Sequence, residues 1–245
     1  MSKKNPDPAV IRAKISNDLL ALHQVLRDDA SGVVVNADGL LSAVNEAKRV
    51  SKRPVWEYEV TNLQLRVEMP QNVLPAKCGE WLDIFIDLDI KGICENSEID
   101  CITELVLNLK ITTESGENIC CWHFDRHIID GDEEDVSGSE AHPLYHFQHG
   151  GHAMKQHAEF LGSGLLLPSP RLPFPPMDAV LSLDFVLSNF SGMCWLRLRD
   201  NPTYSRLLRE AQKRHWKPYL EKLASWWSGG FKDRECTTLW PHLAS

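Results

Sequence analysis

The chain has 245 residues, 43% of them hydrophobic and 24% charged, which is enough apolar material for the core of a soluble globule. A formal net charge of -8, with a pI near 5.7, argues against general coating of nucleic acid, which needs broad positive potential. No stretch approaches the roughly 20 apolar residues of a membrane span, and Met1 to Pro8 lack the apolar core of a secretory signal.

Seven cysteines (Cys78, Cys94, Cys101, Cys120, Cys121, Cys194 and Cys236) form an odd set without a CxxC pair. This predicts reduced cytoplasmic thiols, most of them packed as small hydrophobes.

In chain order, Asp7-Pro8 is a helix start, with a capping carboxylate before a proline at the first helical position. Ile11, Ile15, Leu19, Leu22 and Leu26 follow at helical spacing up to Gly32. A second helix is predicted from Asp38 to about Lys52, stopped by Pro54. The period then becomes alternating. Trp56, Tyr58 and Val60 alternate in one phase and Leu63, Leu65, Val67 and Met69 in the other, so a bulge near Thr61-Asn62 is expected. Leu82 to Ile90 and Leu105 to Ile111 read as the next strands, and a turn at Gly116 leads into a fourth, Ile119 to Ile129. A four-stranded antiparallel meander is the simplest arrangement.

Prolines at 168, 170, 173, 175 and 176 predict extended chain lying over the sheet or the next helix, since proline cannot join a central strand. Pro176 opens an apolar helix, Met177 to Phe190. Within it Asp178 fits the dipole of the first turn, and Asp184 interrupts apolar sequence and needs a partner, for which Arg171 or a histidine is the expectation. Asn201-Pro202 starts a helix to about Lys217, and Pro218 to Trp227 is a further short one. The expected fold is therefore α+β. It is one domain over 1–245, with a helical part (1–53), an antiparallel sheet of four or more strands with the histidine-rich segment (54–167), and a linker with a carboxy-terminal helical layer (168–245).

Six of the ten histidines lie between Ile119 and His152. On a strand, alternation puts Cys121, His123, Asp125 and His127 on one face. The second set, His142, His146, His149 and His152, adjoins Gly150-Gly151, where bare backbone lets a ligand approach. Imidazole and carboxylate suit zinc or manganese, so His123, Asp125, His127, His142 and His146 are the candidate ligands of a divalent metal and the candidate catalytic set. Arg171, on stiff proline-flanked chain, could orient an anion. Against this, the segment has no HExxH, HxH or paired CxxC, a strand histidine on a wet face needs no function, and a loop histidine can simply bond its own backbone. Ser163 lies in Gly162-Ser163-Gly164, too short for a nucleophile elbow.

Charge divides the chain. From Glu95 to Glu140, thirteen acidic residues face only Lys110 and Arg126, whereas Leu196 to Lys222 hold eight basic residues against three acidic ones. Solvated helix faces account for this most simply. The functional reading is a docking face for a protein partner made of Arg206, Arg209, Lys213, Arg214 and Trp216; nucleic acid is not favoured.

His142-Pro143-x-x-His146 with Gly150-Gly151, followed by the proline-rich segment around Arg171, resembles uncharacterised bacterial proteins of mobile elements or phage-defence loci. The resemblance implies a bacterial cytoplasmic setting and no particular reaction. The order of elements is also similar to the ubiquitin-conjugating, E2-like fold: helix, meander, His-Pro loop, helices. Leu144 stands where that family has asparagine, and no cysteine occurs between Pro143 and Met177. The likeness therefore implies an inactive, partner-binding relative. Two functional expectations result: a metal-dependent or histidine-based hydrolase of phosphodiesters, and a non-catalytic subunit that docks a partner through its basic helices.

Overall fold

The computed structural model describes residues 7–71, 73, 78–94, 101–117, 119–126, 142–150, 154, 171–228, 236 and 239–243. The Asp7 carboxylate accepts from the Ala9 amide and opens α1 (Pro8–Asp29), whose Ile15, Leu19, Leu22 and Leu26 are buried. This is the capped, proline-started helix its sequence prescribes. After β1 (Val34–Asn36), α2 (Asp38–Ala47) ends five residues before the expected Lys52. The chain must leave the helix early because the next strand already starts at Val55, and Pro54 disfavours helix in the residue before it.

That strand, β2 (Val55–Glu68), is continuous through both phases of alternation. The register against β3 (Trp81–Ile93) shifts between Val60 and Leu63. Asn62 takes φ 54°, its amide donates to Asp87 Oδ1 at 2.7 Å, and its carbonyl accepts from Asn36 Nδ2 at 3.1 Å. The bulge lets one strand keep all its apolar side chains on the same face. It also receives α2: a Cβ at Gly39 would overlap the Thr61 carbonyl.

The sheet continues through β4 (Ile102–Thr113), β5 (Ile119–Arg126), β6 (Tyr145–His149) and β7 (Leu172–Pro173). All seven strands pair antiparallel in sequential order. The expected four-stranded meander is its centre, β2 to β5. The flanking strands β1, β6 and β7 are too short to carry an alternating signature. Leu172-Pro173 thus belongs to the sheet, where the sequence reading had only extended chain laid over it. Proline is tolerated there because β7 is an edge.

The helical layer covers one face of the sheet. It comprises α3 (Ala179–Phe190), α4 (Gly192–Asp200), α5 (Pro202–Ala211), a π-helical turn (Gln212–Trp216) and α6 (Lys217–Ser225). α3 begins two residues later than expected, with Asp178 as its N-cap accepting from the Leu181 amide. α4 was not anticipated. Between α1, α2, these helices and the inner side chains of β2 to β6 lies one contiguous core. Burying a leucine such as Leu22, Leu65 or Leu107 in it contributes about 2 kcal/mol.

Asp184 reaches partners that the sequence reading did not name. They are neither Arg171 nor a histidine. It accepts a bidentate pair from Arg199 (3.0 and 2.8 Å), the Trp195 indole (2.9 Å) and the Tyr204 hydroxyl (3.2 Å). One carboxylate on α3 thereby clamps α4 and α5. No helix among the described residues is long and apolar enough to cross a membrane.

Candidate metal centre

β5 and β6 pair so that Phe124 faces Phe147 and Asp125 faces His146. Phe124, Tyr145 and Phe147 point into the core, which turns Cys121, His123, Asp125 and His146 to the opposite face of the sheet. Directly paired residues have their Cβ atoms about 5 Å apart, and neighbours two along a strand lie about 6.6 Å apart. The side chains of His123, Asp125 and His146 can therefore close on a common point.

They do. Asp125 Oδ1 lies 3.1 Å from His146 Nε2 and Asp125 Oδ2 lies 3.6 Å from His123 Nε2. The three ligand atoms all lie within 4.8 Å of one another, so this group could hold a metal ion. Two ligands at 2.0 Å from a tetrahedral ion are about 3.3 Å apart, close to the two separations found.

The protonation of His146 sharpens the point. Its Nδ1 is 3.1 Å from the Pro143 carbonyl oxygen, an acceptor only, so Nδ1 carries a proton. Nε2 then faces a carboxylate. With the proton on Nδ1, a neutral imidazole keeps a lone pair on Nε2, which suits it to a cation held beside the carboxylate. A backbone carbonyl holding Nδ1–H while Nε2 is presented to a site is the outer support usual for metal-bound histidine. The His146 side chain is 2% exposed, against 20% for His123 and 32% for Asp125. One candidate ligand is thus fixed deep in the structure and two are more exposed.

The remaining candidates fall differently. His142 stacks edge-on against His146, ring centroids 4.7 Å apart, but is not part of the three-ligand group. His149 takes the other face of β6, edge-on to Trp122 at 5.0 Å, with Nε2 3.7 Å from Cys120 Sγ. His127 and His152 lie outside the described residues. Arg171 immediately precedes β7 and stands two residues from Pro173, the register partner of His146.

Of the basic residues, Arg214 Nη2 lies 2.6 Å from Asp18 and its Nη1 3.5 Å from Asp178, and Arg206 lies 3.6 Å from Asp18. Lys213 pairs with Glu210 at 3.2 Å, and the Trp216 indole donates to the Pro176 carbonyl. Arg209 donates to the Ser205 carbonyl and is exposed. Arg206, Arg209, Lys213 and Lys217 form an outward stripe, whereas Arg214 is turned inward.

Sequence reasoning missed a second polar cluster, on the helical side of the sheet. His215 is fully buried, with Nε2 3.3 Å from Asp178 Oδ2. Burial alone would lower its pKa, but the contacts with Asp178 and Cys101 outweigh this and raise it to about 9. Burial likewise pushes Asp178 up, yet His215 and Arg214 hold it below the usual carboxylate range. A signal was present: Tyr204, Leu208, Ala211, His215 and Tyr219 recur at steps of three and four, which puts a histidine on an apolar stripe.

No protein-family model matches the chain, and no curated protein or solved structure matches it either. These comparisons neither support nor contradict the two resemblances noted in the sequence.

Proposed function

We propose that the protein is a metal-dependent hydrolase, with His123, Asp125 and His146 holding zinc or manganese and a phosphodiester as substrate. What supports this is the convergence of three hard or borderline donors from two strands, one of them backed by the Pro143 carbonyl. Such an ion, when bound, lowers the pKa of a coordinated water and polarises a phosphoryl oxygen. His146 fixes the floor of the site, and Asp125 contributes one oxygen toward each histidine. His142, against the His146 ring, would move the proton. Arg171, on the chain beside β6, would steady developing charge.

Protein purified without a nickel column should carry near-stoichiometric zinc or manganese and cleave bis(p-nitrophenyl) phosphate. Asp125→Asn and His146→Ala should lose both. Wild-type protein that holds no metal after incubation with either ion and dialysis would end this reading.

A docking subunit is the second reading, supported by the outward stripe of Arg206, Arg209, Lys213 and Lys217. Reversing Arg209 and Lys213 to glutamate should then abolish co-purification of a protein partner. Unchanged complex formation would count against that face.

A further inference from the structure

A cavity of about 250 Å³ opens between α1, the sheet and the π-helical turn. α1 lends it Ile11, Lys14 and Ile15, which the helical period puts on one face. Trp56 comes from β2, Ile93 from β3 and Arg214 from the π-helical turn, and Cys101 immediately precedes β4. The volume is that of about eight waters in the liquid, which suits a molecule of about ten heavy atoms.

The apolar wall depends on one glycine. A Cβ at Gly92 would overlap both the Trp56 ring and the Cys101 carbonyl, so only glycine lets the indole lie against β3 at this point. There the indole Nε1 donates to the Ile93 carbonyl at 3.3 Å, and the Ile93 amide donates to the Cys101 carbonyl at 2.8 Å. The one polar atom of the indole thus already has a partner, and the ring is held as an apolar surface. Ile11, Ile15 and Ile93 extend that surface.

Among the described residues, the charged side chains of the lining are Lys14 and Arg214, both cationic. Asp18 at 2.6 Å and Asp178 at 3.5 Å hold the Arg214 guanidinium in place. Arginine has five N–H donors, more than these two contacts use. Lys14 is half exposed and pairs with Glu210 at 2.7 Å, but Glu210 also holds Lys213 at 3.2 Å. Lys14 can therefore turn to a ligand while Lys213 retains Glu210.

We propose that this cavity binds a small aromatic carboxylate of about ten heavy atoms. Its ring lies against Trp56 and the isoleucines, and its carboxylate meets Lys14 and Arg214. The site is on the helical side of the sheet, opposite the His123, Asp125 and His146 group, and does not depend on a metal there.

The test is calorimetric titration of the full chain with phenylacetate and with phenylacetamide, which has the same shape and no charge. Phenylacetate should saturate one site with a Kd of about 0.1 mM, and the amide should bind about tenfold more weakly. Lys14→Glu, at a half-exposed position, should erase that difference by weakening phenylacetate alone. Ile11→Trp, which fills the cavity from a partly exposed position, should abolish binding of both. Saturating phenylacetate should also slow alkylation of Cys101 by N-ethylmaleimide and leave the partly exposed Cys78 unaffected. No saturable binding at 5 mM, equal affinity for acid and amide, binding that survives Ile11→Trp, or an unprotected Cys101 would each overturn the proposal.

Discussion

His215 makes the protein's stability depend on pH in a direction opposite to that of a paired carboxylate. Its pKa in the folded chain, about 9, lies above the ordinary 6.5, so the cation is bound more tightly in the fold than in the unfolded chain. The resulting stabilisation, about 3 kcal/mol, is complete below pH 6.5 and is lost as the pH rises through about 9. Asp178 behaves in the reverse sense: its lowered pKa gives stability present above the ordinary 3.8 and lost as the pH falls through its folded value. The groups around the pair come from several elements: Asp18 on α1, Tyr58 on β2, Cys101 before β4 and Arg214 in the π turn. Thermal melts should show stability declining between pH 6.5 and 9. In His215→Gln that decline should flatten, and a wild-type profile flat across the window would refute the coupling. The alternation from Cys121 to Asp125 made the β5 residues of the candidate metal site visible in the sequence, because a strand puts them on one face. Nothing there placed His146 opposite Asp125, which depends on the register of a five-residue strand. Nor could the sequence pair Asp178 with His215, 37 positions away, since such a contact exists only once the helices pack.

At the scale of elements, the most exposed prediction concerns the Asp184 clamp. Four donor atoms from Arg199, Trp195 and Tyr204 converge on this carboxylate, so its removal leaves buried donors unsatisfied and unties three helices at once. Asp184→Ala should cost about 3 kcal/mol in urea denaturation, with part of the Arg199 interaction screened because that side chain is 36% exposed. A loss within a few tenths of a kcal/mol of zero would show that the clamp is dispensable. The β2 bulge offers a gentler check. Asn62 sits at positive φ, which asparagine and glycine tolerate and β-branched residues do not. Asn62→Gly should be near neutral and Asn62→Val should destabilise by about 2 kcal/mol. The bulge was legible because two phases of alternation met at Thr61-Asn62. α4 was not, because Gly192 to Asp200 buries only Cys194 and Leu198 and so carries a weak period.

Across the whole molecule, the N-terminal and C-terminal helices are tied to each other as well as to the sheet. Lys14 meets Glu210 at 2.7 Å, Asp18 meets Arg214 at 2.6 Å, and Asn201 donates to Asp29 at 2.6 Å. Beneath these contacts Tyr145 packs edge-on against Tyr219, and Phe147 stacks on Phe185, so the far edge of the sheet shares its apolar cluster with α3 and α6. The α+β class could be read from the switch between helical and alternating periods, whereas this closure of one end of the chain on the other joins residues almost two hundred positions apart. A core common to all layers should unfold as one unit. Tryptophan emission samples Trp56 in the sheet together with Trp195 and Trp216 in the helical layer, while far-UV circular dichroism weighs the helices. Their urea transitions should superimpose, with one midpoint and one slope. If the helical layer melted before the sheet, the links between α1 and α5 would be surface decoration.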